Sequence, residues 1–189
     1  MTTLTLNGEW KARQPGKDLT VAGTVPGCIH TDLLAAGRIK DPFYRTQEFD
    51  AYWVAETDWE YSRSFTVAKE LLEHERVLLV CHGLDTLATI RINGREVGRT
   101  DNMFLRYELD VKEALKPGAN TIRIRFESAL EYTIRRENER HLPGWNRNEK
   151  LGYHGYIRKE QCNFGWDWGI RTVTCGIWRD IELVAFSTA

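Results

Sequence analysis

Alternation of apolar and polar residues with a period of two runs through most of this chain and restricts its folding more than any other feature. In DWEYSRSFTV (58–67), Trp59, Tyr61, Phe65 and Val67 fall on one side, and Asp58, Glu60, Ser62, Ser64 and Thr66 on the other. Successive strand side chains point to opposite faces, so this stretch predicts a half-buried β-strand. NTIRIRFES (120–128) repeats the pattern, setting Ile122, Ile124 and Phe126 against Arg123, Arg125 and Glu127. RVLLVCH (76–82) is apolar on both sides, as suits a strand in the middle of a sheet. In 86–100, Ala88, Ile90 and Ile92 point inward before Asn93-Gly94, where both residues tolerate positive φ and a hairpin is expected. GIWRDIELVAF (176–186) predicts a closing strand.

Helical signals are few. Ile29 and Leu33 stand four apart ahead of Gly37, a residue suited to end a helix. DVKEALKPG allows one turn before Pro117-Gly118, and Ser128 with Glu131 matches a capping box. Strands at short intervals with so few helices predict an all-β fold, a β-sandwich or jelly roll with one or two short helices. No repeat or linker divides the 189 residues, so 1–189 reads as a single domain. The stretch 141–161, aromatic and rich in glycine, follows neither period, and loops of that length are usually functional or disordered.

The net charge of −1 gives no basic footprint for nucleic acid. The densest charge run, RRENER (135–140), mixes both signs and reads as a solvated helix face. The N-terminus lacks the basic and apolar regions of a signal peptide, and no apolar run approaches the ~18 residues of a membrane span. A soluble, cytoplasmic chain is therefore expected. Cys28, Cys81, Cys162 and Cys175 are scattered, with no C-x-x-C pair, and are expected to be reduced thiols that bind no metal. The five histidines show no metal-binding spacing; His30 is expected to pack in the first helix and His82 to sit satisfied at a strand end. No nucleophile elbow or phosphate loop is present, so no cofactor is expected.

The densest chemistry is NFGWDWGIR (163–171), where Trp166 and Trp168 flank Asp167 between Gly165 and Gly169. Aromatic faces pack on the axial C–H bonds of sugar rings, and a carboxylate accepts short hydrogen bonds from hydroxyls. Extended backbone would send the rings one way and the carboxylate the other; a turn at either glycine would relax that. The alternative reading of the same residues is two core tryptophans with Asp167 capping a turn. Glycoside hydrolysis requires a second carboxyl group held about 5–9.5 Å from the first. The Asn-Glu pairs at 138–139 and 148–149 are weak candidates, since neither follows a strand of a β/α repeat.

Taken in order, VPGCIHTDLLAAGRIKDPFYR (25–45), YWVAETDWEYSRSF (52–65), GLDTLATIRINGREVGRTDNMF (83–104), DVKEALKPGANTIRIRFES (110–128), RKEQCNFGWDWGIR (158–171) and TCGIWRDIELVAF (174–186) resemble the N-terminal sugar-binding domain of β-mannosidases. These are retaining enzymes of glycoside hydrolase family 2. FGWDWG is the most specific of the matches. The resemblance implies a galactose-binding-domain-like jelly roll, followed in whole family members by an immunoglobulin-like domain and a (β/α)8 barrel that holds both catalytic glutamates. It places no catalytic residue in this chain. It implies that Trp166 and Asp167, with Trp168 beside them, help hold mannose in the −1 subsite, and that Asn102 lies near the same site. Arg158 and Lys159 are placed to brace Asp167, and Trp168 is the tryptophan better suited to core packing. Ile170 and Cys28 depart from the residues common in relatives. The expected partners are a mannose-containing oligosaccharide or glycoside and the barrel domain, with neither nucleic acid nor membrane. The alternative is a stand-alone carbohydrate-binding module without catalysis.

Overall fold

The computed structural model describes residues 1–143 and 153–187. Twelve strands are present among them: β1 (Thr2–Thr5), β2 (Gly8–Gln14), β3 (Leu19–Val25), β4 (Trp59–Val67), β5 (Arg76–Cys81), β6 (Leu84–Asp85), β7 (Ala88–Ile92), β8 (Arg95–Thr100), β9 (Tyr107–Asp110), β10 (Gly118–Phe126), β11 (Gly176–Ile177) and β12 (Ile181–Phe186). The helices are short: α1 (Ile29–Ala35), α2 (Gln47–Asp50), α3 (Lys69–Glu73) and α4 (Ala129–Glu139), with single 3-10 turns between elements. A six-stranded sheet runs β3-β2-β4-β10-β7-β8, a four-stranded sheet β1-β12-β5-β9, and β11 pairs with β6. Every pairing within these sheets is antiparallel. The all-β sandwich expected from the alternation is the fold observed.

The core lies between the two large sheets. From one side come Trp10, Trp59, Tyr61, Ile90, Ile122, Ile124 and Phe126; from the other come Val77, Leu79, Cys81, Ile181 and Leu183, all buried. The alternation in 58–67 and 120–128 is thus the inner face of β4 and β10, which pair in register from Trp59↔Phe126 to Val67↔Gly118. The apolar run 76–82 becomes β5, which lies between β12 and β9. Buried indoles keep their N–H groups satisfied: Trp10 donates to the Leu6 carbonyl at 2.8 Å and Trp59 to that of Val54 at 3.0 Å. An unpaired N–H there would cost about 1–3 kcal/mol. Cys81, enclosed in this core, has its thiol pushed up to about 12 by burial.

Helix α1 closes one end of the sandwich. It ends as its sequence predicts, with Gly37 at φ +65° and the Arg38 N–H reaching back to the Leu33 carbonyl at 2.8 Å. The helix is fastened to the sheet through Asp32, which accepts from the Tyr61 hydroxyl at 2.6 Å and from the Thr24 N–H at 3.0 Å. Burial pushes the Asp32 carboxyl above its ordinary range. His30, beside it, packs inward, and burial, with help from the Lys159 charge, lowers it to about 4. Helix α4 starts on Ser128, whose Oγ accepts from the Glu131 N–H at 3.0 Å, but the expected capping box is only half made, because the Ser128 N–H donates to the Asp58 carboxylate at 2.9 Å instead of to Glu131. RRENER forms its exposed end, as the mixed charges imply.

A second, smaller apolar cluster sits beneath α4. It contains Ala55, Ala129, Leu130, Ile157, Phe164 and Val173. This cluster forms the floor under the NFGWDWGIR loop.

Candidate functional site

The motif is a turn on a buried anchor. A 3-10 turn, Gln161–Phe164, brings Phe164 into the second cluster, where it is buried. Burying a phenylalanine contributes about 1.5–3 kcal/mol, so the loop is held from below by its own first aromatic. Gly165 then reverses the chain at φ +107°, ψ 151°, a region open essentially to glycine alone. The Arg171 side chain lies across it so closely that a Cβ there would sit 2.6 Å from Arg171 Cγ. Trp166 and Gly169 close the turn, the Gly169 N–H donating to the Trp166 carbonyl at 3.3 Å.

This turn decides the question left open by the sequence. Asp167 and Trp168 occupy its corners rather than an extended strand. The two indole rings meet at 6.1 Å between centroids, tilted by 52°. Trp166 is 43% exposed and Trp168 83%, and Asp167 is exposed as well. The expectation that Trp168 packs in the core is therefore corrected: Phe164 fills that role, and a four-residue turn lifts both tryptophans clear of the floor. Two aromatic faces and a carboxylate stand together at the surface, a set able to stack on a sugar ring and accept from its hydroxyls.

The loop is fixed at both feet. Lys159 does not brace Asp167. Its buried amine pairs with the buried carboxylate of Asp85 at the end of β6. Arg158, the other basic residue ahead of the motif, has an exposed side chain, and its carbonyl accepts from the Met103 N–H at 3.0 Å. At the far foot, the Arg171 N–H donates to Glu48 of α2 at 2.9 Å. Asn102 forms a parallel bridge with Arg158, so its loop lies against the segment that leads into the motif. Its own amide oxygen caps the next turn by accepting from the Phe104 N–H at 3.0 Å. No hydrogen bond joins Asn102 to Trp166, Asp167 or Trp168 among the described residues.

Other exposed apolar side chains fall on segments tied to this loop. Phe43, Tyr44 and Phe49 precede or lie within α2, and Phe104 and Leu105 follow Asn102. Scattered bulky residues in irregular segments carry no periodic signal, so they could not be grouped from sequence. Of the two Asn-Glu pairs, Glu139 lies on α4 and pairs with Arg136; the pair at 148–149 lies outside the described residues. His82 is satisfied at its strand end by Glu182 at 3.0 Å. No group of three potential metal ligands occurs among the described residues, and no helix there is long and apolar enough to cross a membrane.

Comparison with known proteins places this geometry. Residues 10–179 match the glycosyl hydrolase 2 galactose-binding domain-like family. The chain belongs to that family. Its relatives include the β-mannosidase of Bos taurus, 36% identical over 194 residues that cover 99% of this chain and 22% of that protein. A probable β-mannosidase of Caenorhabditis elegans is 36% identical over 187 residues, covering 93% of this chain and 20% of the relative. The β-D-mannosidase structure from Dictyoglomus thermophilum superposes with a TM-score of 0.93 at 35% identity, covering 99% of this chain and 23% of that one. An exo-chitosanase structure from Amycolatopsis orientalis, at 17% identity and a TM-score of 0.71, shares the fold. The chain thus spans about a fifth of the length of the β-mannosidases it matches.

Proposed function

We propose that this chain is the N-terminal domain of a β-mannosidase-like retaining exo-glycosidase, and that it orients terminal β-D-mannose in the −1 subsite. The observation that carries this reading is the exposed Trp166–Asp167–Trp168 turn, anchored from below and at both feet. A structural loop has no need to hold two indoles and a carboxylate in solvent. Asp167 accepts hydrogen bonds from the sugar hydroxyls, and Trp166 offers an apolar wall. The reaction itself uses two glutamates from a (β/α)8 barrel in the longer protein, which is also the partner for the exposed aromatics around the turn. A sugar held on a rigid support reaches the barrel's carboxyl groups already oriented, which lowers the barrier through lost freedom settled on binding.

The test is Asp167→Ala in the longer protein, assayed with an aryl β-D-mannopyranoside. We expect kcat/KM to fall ~100-fold or more, equivalent to about 2.7 kcal/mol of transition-state stabilisation. Unchanged kinetics would remove Asp167 from the subsite. Titrating the 189-residue chain alone with mannose and manno-oligosaccharides separates the alternative. Half a subsite binds weakly or undetectably, whereas low-micromolar affinity belongs to a self-sufficient carbohydrate-binding module.

A further inference from the structure

Lys159 is the only lysine or arginine among the described residues that is buried. Its side chain is 0% exposed, and that of its partner Asp85 4%. The two lie far apart in sequence, and each is embedded in a different piece of architecture. Asp85 closes β6 and pairs in register with Gly176 of β11; its second carboxylate oxygen accepts from the Thr86 hydroxyl. Lys159 sits in a segment gripped on both sides by Met103, which donates from its N–H to the Arg158 carbonyl at 3.0 Å and receives the Glu160 N–H at its sulfur at 3.0 Å. Met103 is in turn held by the Trp178 indole N–H, 3.3 Å from its carbonyl.

An ion pair is a poor choice for stability alone in such a place. Removing two charges from water costs several kcal/mol per ion, and well-packed apolar residues of similar size often do as well or better. What it supplies is directionality. An apolar contact tolerates sliding, whereas a buried ammonium displaced from its carboxylate becomes an unpaired charge in a dry interior. Lys159 stands at the entry of a loop that has no sheet or long helix to fix it, seven positions ahead of Trp166.

We infer that the buried Asp85–Lys159 pair is a positioning device, which sets the Trp166–Asp167–Trp168 turn at one height above the sandwich by coupling the loop's entry to the β6–β11 ribbon. Lys159 and Asp85 are positioning residues; neither reaches the surface where a sugar would lie. The clamp stands on the geometry alone. Its consequence for mannose handling rests on the proposed function.

Hydrogen exchange read by mass spectrometry on the 189-residue chain tests the clamp without any ligand. In Lys159→Met, amides of 160–171 are expected to exchange about tenfold faster or more, while those of β12 keep wild-type protection. The double variant Asp85→Leu with Lys159→Met restores a neutral, filled interior. It is expected to melt close to wild type and still show fast exchange in 160–171. Wild-type exchange of that segment in either folded variant would overturn the inference. So would loss of protection in β12 in step with the loop in both variants, because the pair would then hold the whole sandwich. In the longer protein, the double variant is expected to raise KM for the aryl mannoside about tenfold. If Asp167→Ala is silent there while the exchange result holds, the sugar role fails and the clamp survives.

Discussion

Gly165 shows how much one residue can decide. Its φ of +107° is closed to side chains, and the Arg171 stem occupies the space where a Cβ would go. Gly165→Ala is expected to cost about 1–3 kcal/mol in urea unfolding, with the m-value unchanged. A variant as stable as the parent would show that the loop can turn elsewhere. The sequence displayed the motif plainly, because Trp, Asp and Gly at that density are rare and their chemistry is specific. It could not display which aromatic is the anchor. Phe164, Trp166 and Trp168 are all apolar, and only the turn at 166–169, itself set by Gly165, sends Phe164 down and the tryptophans out. The destination of Lys159 was hidden for a different reason: Asp85 lies on another strand, and local spacing says nothing about a partner that far away.

Among elements, the β7–β8 hairpin depends on more than its turn. Asn93 and Gly94 take positive φ, as Asn-Gly between alternating strands predicts. Asn93 also extends the ladder beyond β7: its N–H donates to the Thr121 carbonyl at 2.9 Å, and its side-chain oxygen accepts from the Thr121 N–H at 3.0 Å. Its amide nitrogen donates to the Ala114 carbonyl and to the buried Asn120. Asn93→Ala should therefore cost about 2–3 kcal/mol, more than turn propensity alone, measured as a shift in the urea midpoint. A loss under about 0.5 kcal/mol would mean that water replaces the side chain. The strands that the sequence revealed are those with strongly apolar buried residues: β4, β7, β10 and β12 on one alternating face, and β5 on both faces. β1 and β9 pair along the sheet edges with little buried surface, and β6 and β11 are two residues long, so none carries enough alternation to register. In β2 the inward positions are Trp10 and Ala12, and an alanine gives a faint signal.

For the molecule as a whole, acid stability should centre on His30. Its folded value of about 4 lies below the ordinary 6.5, chiefly through burial and secondarily through Lys159. The unfolded chain takes up the proton first as pH falls, so stability is full above about 6.5 and declines through the interval down to about 4. A shift of this size corresponds to a loss on the order of 3 kcal/mol. Asp32, raised by burial, acts in the opposite sense above its usual 3.8, so the informative quantity is the difference between proteins that share it. Unfolding free energies at pH 7 and pH 4 should converge by that amount in His30→Gln relative to the parent, and parallel pH curves would contradict the assignment. The arrangement of the tryptophans has a spectroscopic consequence. Trp53 and Trp59 form one tilted ring pair at 6.0 Å, with Trp59 in the core, and Trp166 and Trp168 form another at 6.1 Å in solvent. Trp59, enclosed in the core, is shielded from a soluble quencher, whereas the Trp166–Trp168 pair is open to it. The domain thus carries an internal reference and a dye at its candidate sugar site, and occupancy of that site can be followed by quenching with no label attached.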